Sequence, residues 1–259
     1  MHKHNLQQAL IHTDPWASLR AFTAARIALG RTGTAIPLQE VLSFRMAHAH
    51  ARDAVYSLLQ VEPLTQQLTV LGLPVNQLHS QAADRHEYLQ RPDKGRRLNE
   101  GSVAQLMGNN SPYTSDAAIA IILADGLSAT AVNHHAVPLL SQLIPLLQNI
   151  NLRLLPVSLV QQGRVAIGDE IAMLQQATLV VVLIGERPGL SSPDSLGIYI
   201  TYQPRVGLTD EARNCISNVR PEGLSYQAAA DKLYWLIRES LRLRVSGVEL
   251  KDQEGLLNG

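Results

Sequence analysis

A single cysteine, Cys215, occurs in 259 residues, so an internal disulfide is excluded and a reducing compartment is expected. Charge of one sign in excess is missing too: 22 basic and 22 acidic side chains balance, and only 17% of the chain is charged. Non-specific nucleic-acid binders and polybasic membrane-surface proteins need a concentrated positive field, so the balance argues against both. No apolar run is long enough for a bilayer; Ala177 to Gly185, broken only by Thr178, falls well short of the roughly 20 residues required. The start, Met1-His2-Lys3-His4-Asn5-Leu6, lacks the apolar stretch of a secretory signal. What is present is 46% apolar residues, enough for a sizeable core and too many for a disordered chain. A soluble, intracellular globular protein of one or two domains is expected.

Common catalytic signatures are missing as well. The chain has no G-x-G-x-x-G dinucleotide loop and no G-x-x-x-x-G-K-[ST] phosphate loop, which disfavours a stand-alone dinucleotide oxidoreductase. Neither H-E-x-x-H nor G-x-S-x-G occurs. Asp84-Arg85-His86 begins like the corrinoid motif D-x-H-x-x-G, but position 89 is Leu. The histidines His2, His4, His12, His48, His50, His134 and His135 are scattered, and no metal-ligand set is expected.

The pattern changes near residue 112. Before it, apolar residues recur at helical spacing. Asp14-Pro15 opens one predicted helix carrying Leu19, Phe22, Ile27 and Leu29, and Pro37 opens a second carrying Val41 to Leu59. Asn109-Asn110-Ser111-Pro112 is the expected linker. Beyond it, strands are predicted at 117–123, 152–160, 179–184, 198–202 and 216–219, with helices at 129–148, 169–176 and 225–245. Apolar strands alternating with helices indicate an α/β fold with a mostly parallel sheet. The expected division is a helical N-terminal region, 1–112, and a sheet domain, 113–259.

Ligands of such sheets gather at the carboxyl ends of the strands, so the turns there are the candidates. Asp125-Gly126-Leu127-Ser128 suits a ligand or the capping of the next helix. Gly163-Arg164-Val165 frees the backbone after its strand. In Gly185-Glu186-Arg187-Pro188-Gly189-Leu190, a charged pair ends a fully apolar strand, a placement that favours function over solubility. Cys215 lies in Arg213-Asn214-Cys215-Ile216-Ser217-Asn218 without an obvious activating base. It is therefore read as a small apolar filler or a packing contact to a ligand, not as a nucleophile. Outside the sheet, Arg91, Lys94, Arg96 and Arg97 form a basic cluster suited to an anion, an acidic partner, or plain solvation. From the residues alone, a ligand-binding α/β module is as far as these features lead.

Five segments in order carry a resemblance: Arg91-Pro92-Asp93-Lys94-Gly95-Arg96-Arg97-Leu98, Asp125 to Ser128, Gly163 to Val165, Gly185 to Leu190 and Asn214 to Asn218, with Tyr202-x-Pro204-Arg205 in support. Together they resemble the small (light) subunit family of ethanolamine ammonia-lyase, over about residues 14 to 249. The resemblance implies a Rossmann-like domain that encloses adenosylcobalamin together with a large (heavy) subunit. It also implies a lyase that converts ethanolamine to acetaldehyde and ammonia by a radical mechanism. Val165, Glu186 and Cys215 are the cofactor contacts it implies, with no catalytic and no metal-ligating residue in this chain. Ethanolamine would be held mainly by the large subunit, which accounts for the missing acid–base set. Missing D-x-H-x-x-G fits a corrinoid that keeps its own base on cobalt. A hetero-oligomer is implied, in a bacterial microcompartment or otherwise the cytoplasm, without nucleic acid or membrane. Only Met1 to Thr13 precede the shared region, less than the family's usual packaging extension. The alternative is a non-catalytic corrinoid- or nucleotide-binding module.

Overall fold

A computed structural model describes residues 12–108, 117–150 and 152–250. They form two compact units, one of residues 12–53 with Gly189–Pro193, the other of the remainder. The expected linker at 109–112 lies outside the described residues, and residues 54–108 belong to the unit that contains the sheet.

In the first unit, the helix expected after Asp14-Pro15 is reduced to a 3-10 turn, Ala17–Phe22, none of whose residues is buried. A short helix whose apolar side chains, here Leu19 and Phe22, stay exposed does not stabilise itself, and the chain leaves it at Thr23 in an extended conformation. Helix α1 (Leu38–Tyr56) begins just after Pro37, as expected.

The second unit carries a mixed sheet in the order β1 (Val75–His79), β4 (Val157–Gln161), β2 (Ala118–Ala124), β5 (Leu179–Gly185), β6 (Leu196–Tyr202), β7 (Asn214–Val219). The short β3 (Arg153–Leu154) pairs with the start of β2, and β4 pairs with its end, so the one strand expected over 152–160 is two pieces separated at Leu155-Pro156. Pairings β1–β4, β4–β2 and β2–β5 are parallel, while β5–β6 and β6–β7 are antiparallel. Strand β1 was not expected; five residues reading Val-Asn-Gln-Leu-His show little apolar character, yet Asn76 and Leu78 turn inward at period two.

Strands β2 and β5 are buried at every position. Ile119, Ile121 and Leu123 of β2 and Leu179, Val181 and Leu183 of β5 join one core with α2 (Val61–Val70), α5 (Ala129–Gln148) and α7 (Tyr226–Leu243). Their alternates, Ala120, Ile122, Ala124, Val180, Val182 and Ile184, join the other with α4 (Glu100–Gly108) and α6 (Ile167–Leu174). Helices on both faces explain why these strands are continuously apolar. The remaining helix, α3 (Arg85–Gln90), is capped by Asp84, whose carboxylate accepts from the Glu87 N–H at 2.8 Å. No helix of the described residues is long and apolar enough to cross a membrane.

One buried ion pair ties α6 to the approach to β7. Arg213 meets Asp169 in a two-point contact, Nη1–Oδ1 2.8 Å and Nη2–Oδ2 2.7 Å, and Nη1 also donates to Thr201 Oγ1. Both side chains are at most 2% exposed. Asp169→Ala would strand a buried guanidinium and should lower unfolding stability by about 3–5 kcal/mol. In urea denaturation the paired replacement Asp169→Leu/Arg213→Met should recover much of that loss; an undiminished loss would show that the charges themselves are indispensable.

Candidate functional site

Three turns meet at the carboxyl edge of the parallel strands: Asp125 to Ser128 after β2, Gln162 to Val165 after β4, and Gly185 to Arg187 at the end of β5. Asp125 joins the first two. Its buried carboxylate accepts from the Gln162 N–H at Oδ2 (2.8 Å) and from the Gly163 N–H at Oδ1 (2.9 Å), with Arg85 Nη1 3.9 Å away. The first and third turns touch backbone to backbone. Leu127 N–H donates to the Gly185 carbonyl at 2.9 Å. A Cβ on Gly126 would lie 2.3 Å from that carbonyl oxygen, and one on Gly185 only 2.0 Å from the Ser128 carbonyl oxygen. What the missing side chain of Gly185 admits is the neighbouring turn. Ser128 stands at the N-cap of α5 but its side chain makes no cap bond, and Ser57 Oγ accepts from Thr130 N–H instead.

These turns and their neighbours line an open cleft of about 260 Å³, with Tyr88, Gly126, Leu127, Arg164, Val165, Ile184, Gly185, Glu186, Arg187 and Tyr199 on its walls. Tyr88 is its aromatic anchor: the buried ring packs against the Arg85 guanidinium (4.6 Å) and that of Arg164 (4.4 Å), and its hydroxyl donates to the Gly163 carbonyl at 3.2 Å. Burial pushes the phenol up to about 12. Arg85 is itself fixed by the carbonyls of Val55 (2.6 Å) and Gly126 (2.8 Å).

Val165 and Glu186 therefore share one cleft. Both are half-buried. Glu186 Oε2 accepts from the Ser195 hydroxyl and from the Asn218 N–H (3.2 Å), while Oε1 accepts nothing among the described residues. The Val165 and Ala166 N–H groups likewise find no acceptor there. Cys215 is off the wall and exposed, paired across β6–β7 with Tyr199, so it is not the small apolar filler that one reading of the sequence expected. Desolvation raises the thiol above its ordinary range and the Glu186 charge adds to this, while the Tyr199 contact partly offsets both. A raised thiol is a poor nucleophile at neutral pH. Tyr199 is raised as well, first by burial.

Sequence reasoning missed Tyr88 and Arg85 as parts of the site. They sit within the stretch tested only for a histidine-on-cobalt motif, and nothing local shows that α3 packs below the sheet edge. The basic cluster is largely neutralised: Arg91 pairs with Asp93 (2.7 Å), Lys94 with Glu87, and Arg97 with Glu170 (2.8 Å). Arg96 alone has no acidic partner among the described residues. A grouping not seen in the sequence is His134, His135 and Asp194, with ligand-type atoms within 4.8 Å of one another. Both ring nitrogens of His135 are engaged, by Tyr226 Oη (2.8 Å) and Asp194 Oδ2 (3.0 Å), which makes it a satisfied interior histidine.

The model of one family, the ethanolamine ammonia-lyase light chain (EutC), matches residues 13–251. A protein of Xanthomonas campestris pv. campestris (strain ATCC 33913) named ethanolamine ammonia-lyase small subunit is 56% identical over 240 residues, 93% of this chain and 88% of that one. Proteins of the same name from Pseudomonas fluorescens (strain SBW25) and Azotobacter vinelandii (strain DJ) are each 55% identical over 93% of this chain, covering 87% and 89% of their own lengths.

Two outcomes follow from the braced turns. Gly185→Val should disrupt folding, because no side chain fits against the Ser128 carbonyl; native-like thermal unfolding of this variant would contradict the close contact. Burial raises Asp125 to about 6, against an ordinary carboxyl near 3.9. The folded state thus holds this proton more tightly than the unfolded chain, so the associated stability is complete at low pH and is lost as pH rises through about 6. The stability difference between wild type and Asp125→Asn should shrink by about 2 kcal/mol from roughly pH 4 to pH 7. A difference that grows with pH in denaturant titrations would reverse the assignment.

Proposed function

Because the chain belongs to the ethanolamine ammonia-lyase light chain family, we propose that it is the small subunit of an adenosylcobalamin-dependent lyase that turns ethanolamine into acetaldehyde and ammonia. In this reading the strand-end cleft forms one wall of the corrinoid site and a large subunit forms the other.

The observation that carries it is the convergence of Val165 and Glu186 on one open cleft, each with an unused hydrogen-bonding group, beside Tyr199 and its cross-strand neighbour Cys215. A corrin is a flat ring edged with amides, which donate through NH₂ and accept through C=O. Among the described residues Glu186 Oε1 is an unused acceptor and the Val165 N–H an unused donor, so the chemistry of the cleft fits that edge. Leu127, Ile184 and the Val165 side chain offer apolar contact. When bound, the cofactor supplies a cobalt–carbon bond whose homolysis begins the radical chemistry. Ser195 and Asn218 hold Glu186 so that one oxygen points to a fixed place, and the braced glycine turns keep the wall rigid.

Tyr88, Tyr199 and Cys215 all hold their protons more tightly than usual. This supports a chain that binds and orients, with ethanolamine handled by the large subunit.

The test is an absorbance titration of the co-purified two-subunit complex with adenosylcobalamin, alongside an acetaldehyde assay. Glu186→Ala should weaken cofactor binding by up to about tenfold, the effect of one lost hydrogen bond. Cys215→Ala should retain most turnover. Unchanged affinity in assembled Glu186→Ala, or ethanolamine turnover by the isolated small chain, would defeat the proposal; corrinoid binding without any lyase activity in the complex would favour a binding module.

A further inference from the structure

A second cleft, of about 660 Å³, shares Arg164 and Val165 with the first. Arg96 and Arg97 add to its wall, and Val206 to Asp210 close the far side. We propose that this basic cleft holds the phosphodiester of the corrinoid's nucleotide tail, an inference that rests on the corrinoid reading above and extends it to residues with no assigned role.

The arginines differ in what they leave available. Arg164 is held rigidly: its main-chain N–H donates to the Gly95 carbonyl (2.8 Å), Nη2 donates to the Tyr88 carbonyl (3.0 Å), and its side chain runs against Gly95, where a Cβ would lie 3.0 Å from its Cγ. Its Nε is buried without a hydrogen-bond partner and so is closed to a ligand, whereas Nη1 makes no bond among the described residues and is the atom left available. Arg97 gives Nε and Nη2 to Glu170, which leaves Nη1. Arg96 is exposed and unpaired among the described residues. Of the two rim carboxylates, Asp93 pairs with Arg91, while the exposed Asp210 lies 3.7 Å from an Arg213 already bound at two points to Asp169, so its charge offsets one arginine of the wall. Arg96 and Arg164 against Asp210 still leave the wall with net positive charge, and the N–H groups of Val165 and Ala166, just ahead of α6, find no acceptor among the described residues.

That donor set suits a phosphate: planar guanidinium forks and backbone N–H groups are its usual partners. Size agrees as well. A cleft of about 260 Å³ accommodates only part of a base-on corrinoid, and the adjoining basic cleft begins at Val165, where the first one ends. An acidic segment of the large subunit is the competing occupant, and the experiment separates the two.

The purified two-subunit complex is titrated by absorbance with aquocobalamin and with diaquocobinamide, which has the same corrin ring but no nucleotide tail. Arg96→Gln, at an exposed position that tolerates substitution, should weaken aquocobalamin about three- to tenfold and leave diaquocobinamide unchanged. Arg96→Lys should recover part of the loss. Added salt should weaken aquocobalamin more than diaquocobinamide in wild type, and less so in Arg96→Gln. Equal losses for both corrinoids, or none for either, would overturn the proposal while leaving the ring site intact. Loss of co-purification in Arg96→Gln would assign the wall to the large subunit and overturn it as well. A wild-type complex that binds neither corrinoid would sink the corrinoid reading itself, and this inference with it.

Discussion

The carboxylate of Asp125 is the constraint on which the candidate site depends. It lies under the edge of the sheet with both oxygens committed to main-chain N–H groups of the neighbouring turn, at 2.8 and 2.9 Å. A buried carboxyl is costly without such donors, and here the donors belong to Gln162 and Gly163, a step before Arg164 and Val165. The side chain that satisfies its own burial thereby sets where the cleft-lining backbone begins. Gly126 and Gly185 do the same for the third turn by removing every atom that would hold it away. Glu186 follows directly, and its position is inherited from that contact.

Rigidity and openness are thus divided between two levels. The floor consists of β2, β4 and β5, with β2 and β5 buried on both faces, and it has no freedom to adapt. The groups that face the cleft keep unused capacity: one oxygen of Glu186, the N–H of Val165 and single nitrogens of Arg97 and Arg164. Interior polar atoms left unused at the surface of a well-packed fold suit a ligand or partner brought from outside. Cys215 differs in kind. It is exposed beside Tyr199 of the neighbouring strand, and its raised thiol is in accord with the absence of a base near it in the sequence.

Much of the sheet unit was legible because its signals are local. Period and length alone located α5 at 129–148, and the apolar runs located β2 and β5 to within a residue. Glycine, proline and charge at strand ends drew attention to the turns carrying Val165 and Glu186. Illegible pieces share one cause, namely that their stability comes from partners distant in sequence. Strand β1 exists because β4 offers it an edge, and the helix expected after Asp14 fails because nothing buries its apolar side chains. The segment from Gly185 was singled out for its charged pair, whereas the contact that demands a glycine there, the Ser128 carbonyl, comes from more than fifty residues away.

The sequence by itself determined the α/β class, the strand-end location of the candidate site, the absence of disulfides and the five ordered segments shared with a known family. Each of these is carried by residue type, spacing or order, which needs no knowledge of the folded chain. Tertiary structure alone decided which of those segments meet. It put Val165 and Glu186 in one cleft and moved Cys215 to its flank, and it placed Tyr88 between two arginines. It also paired most of the basic cluster while leaving Arg96 free. The physical reason is that hydrogen bonds and ion pairs act over a few ångströms of space, and the distance between two side chains is set by the path of the sheet and not by their separation along the chain.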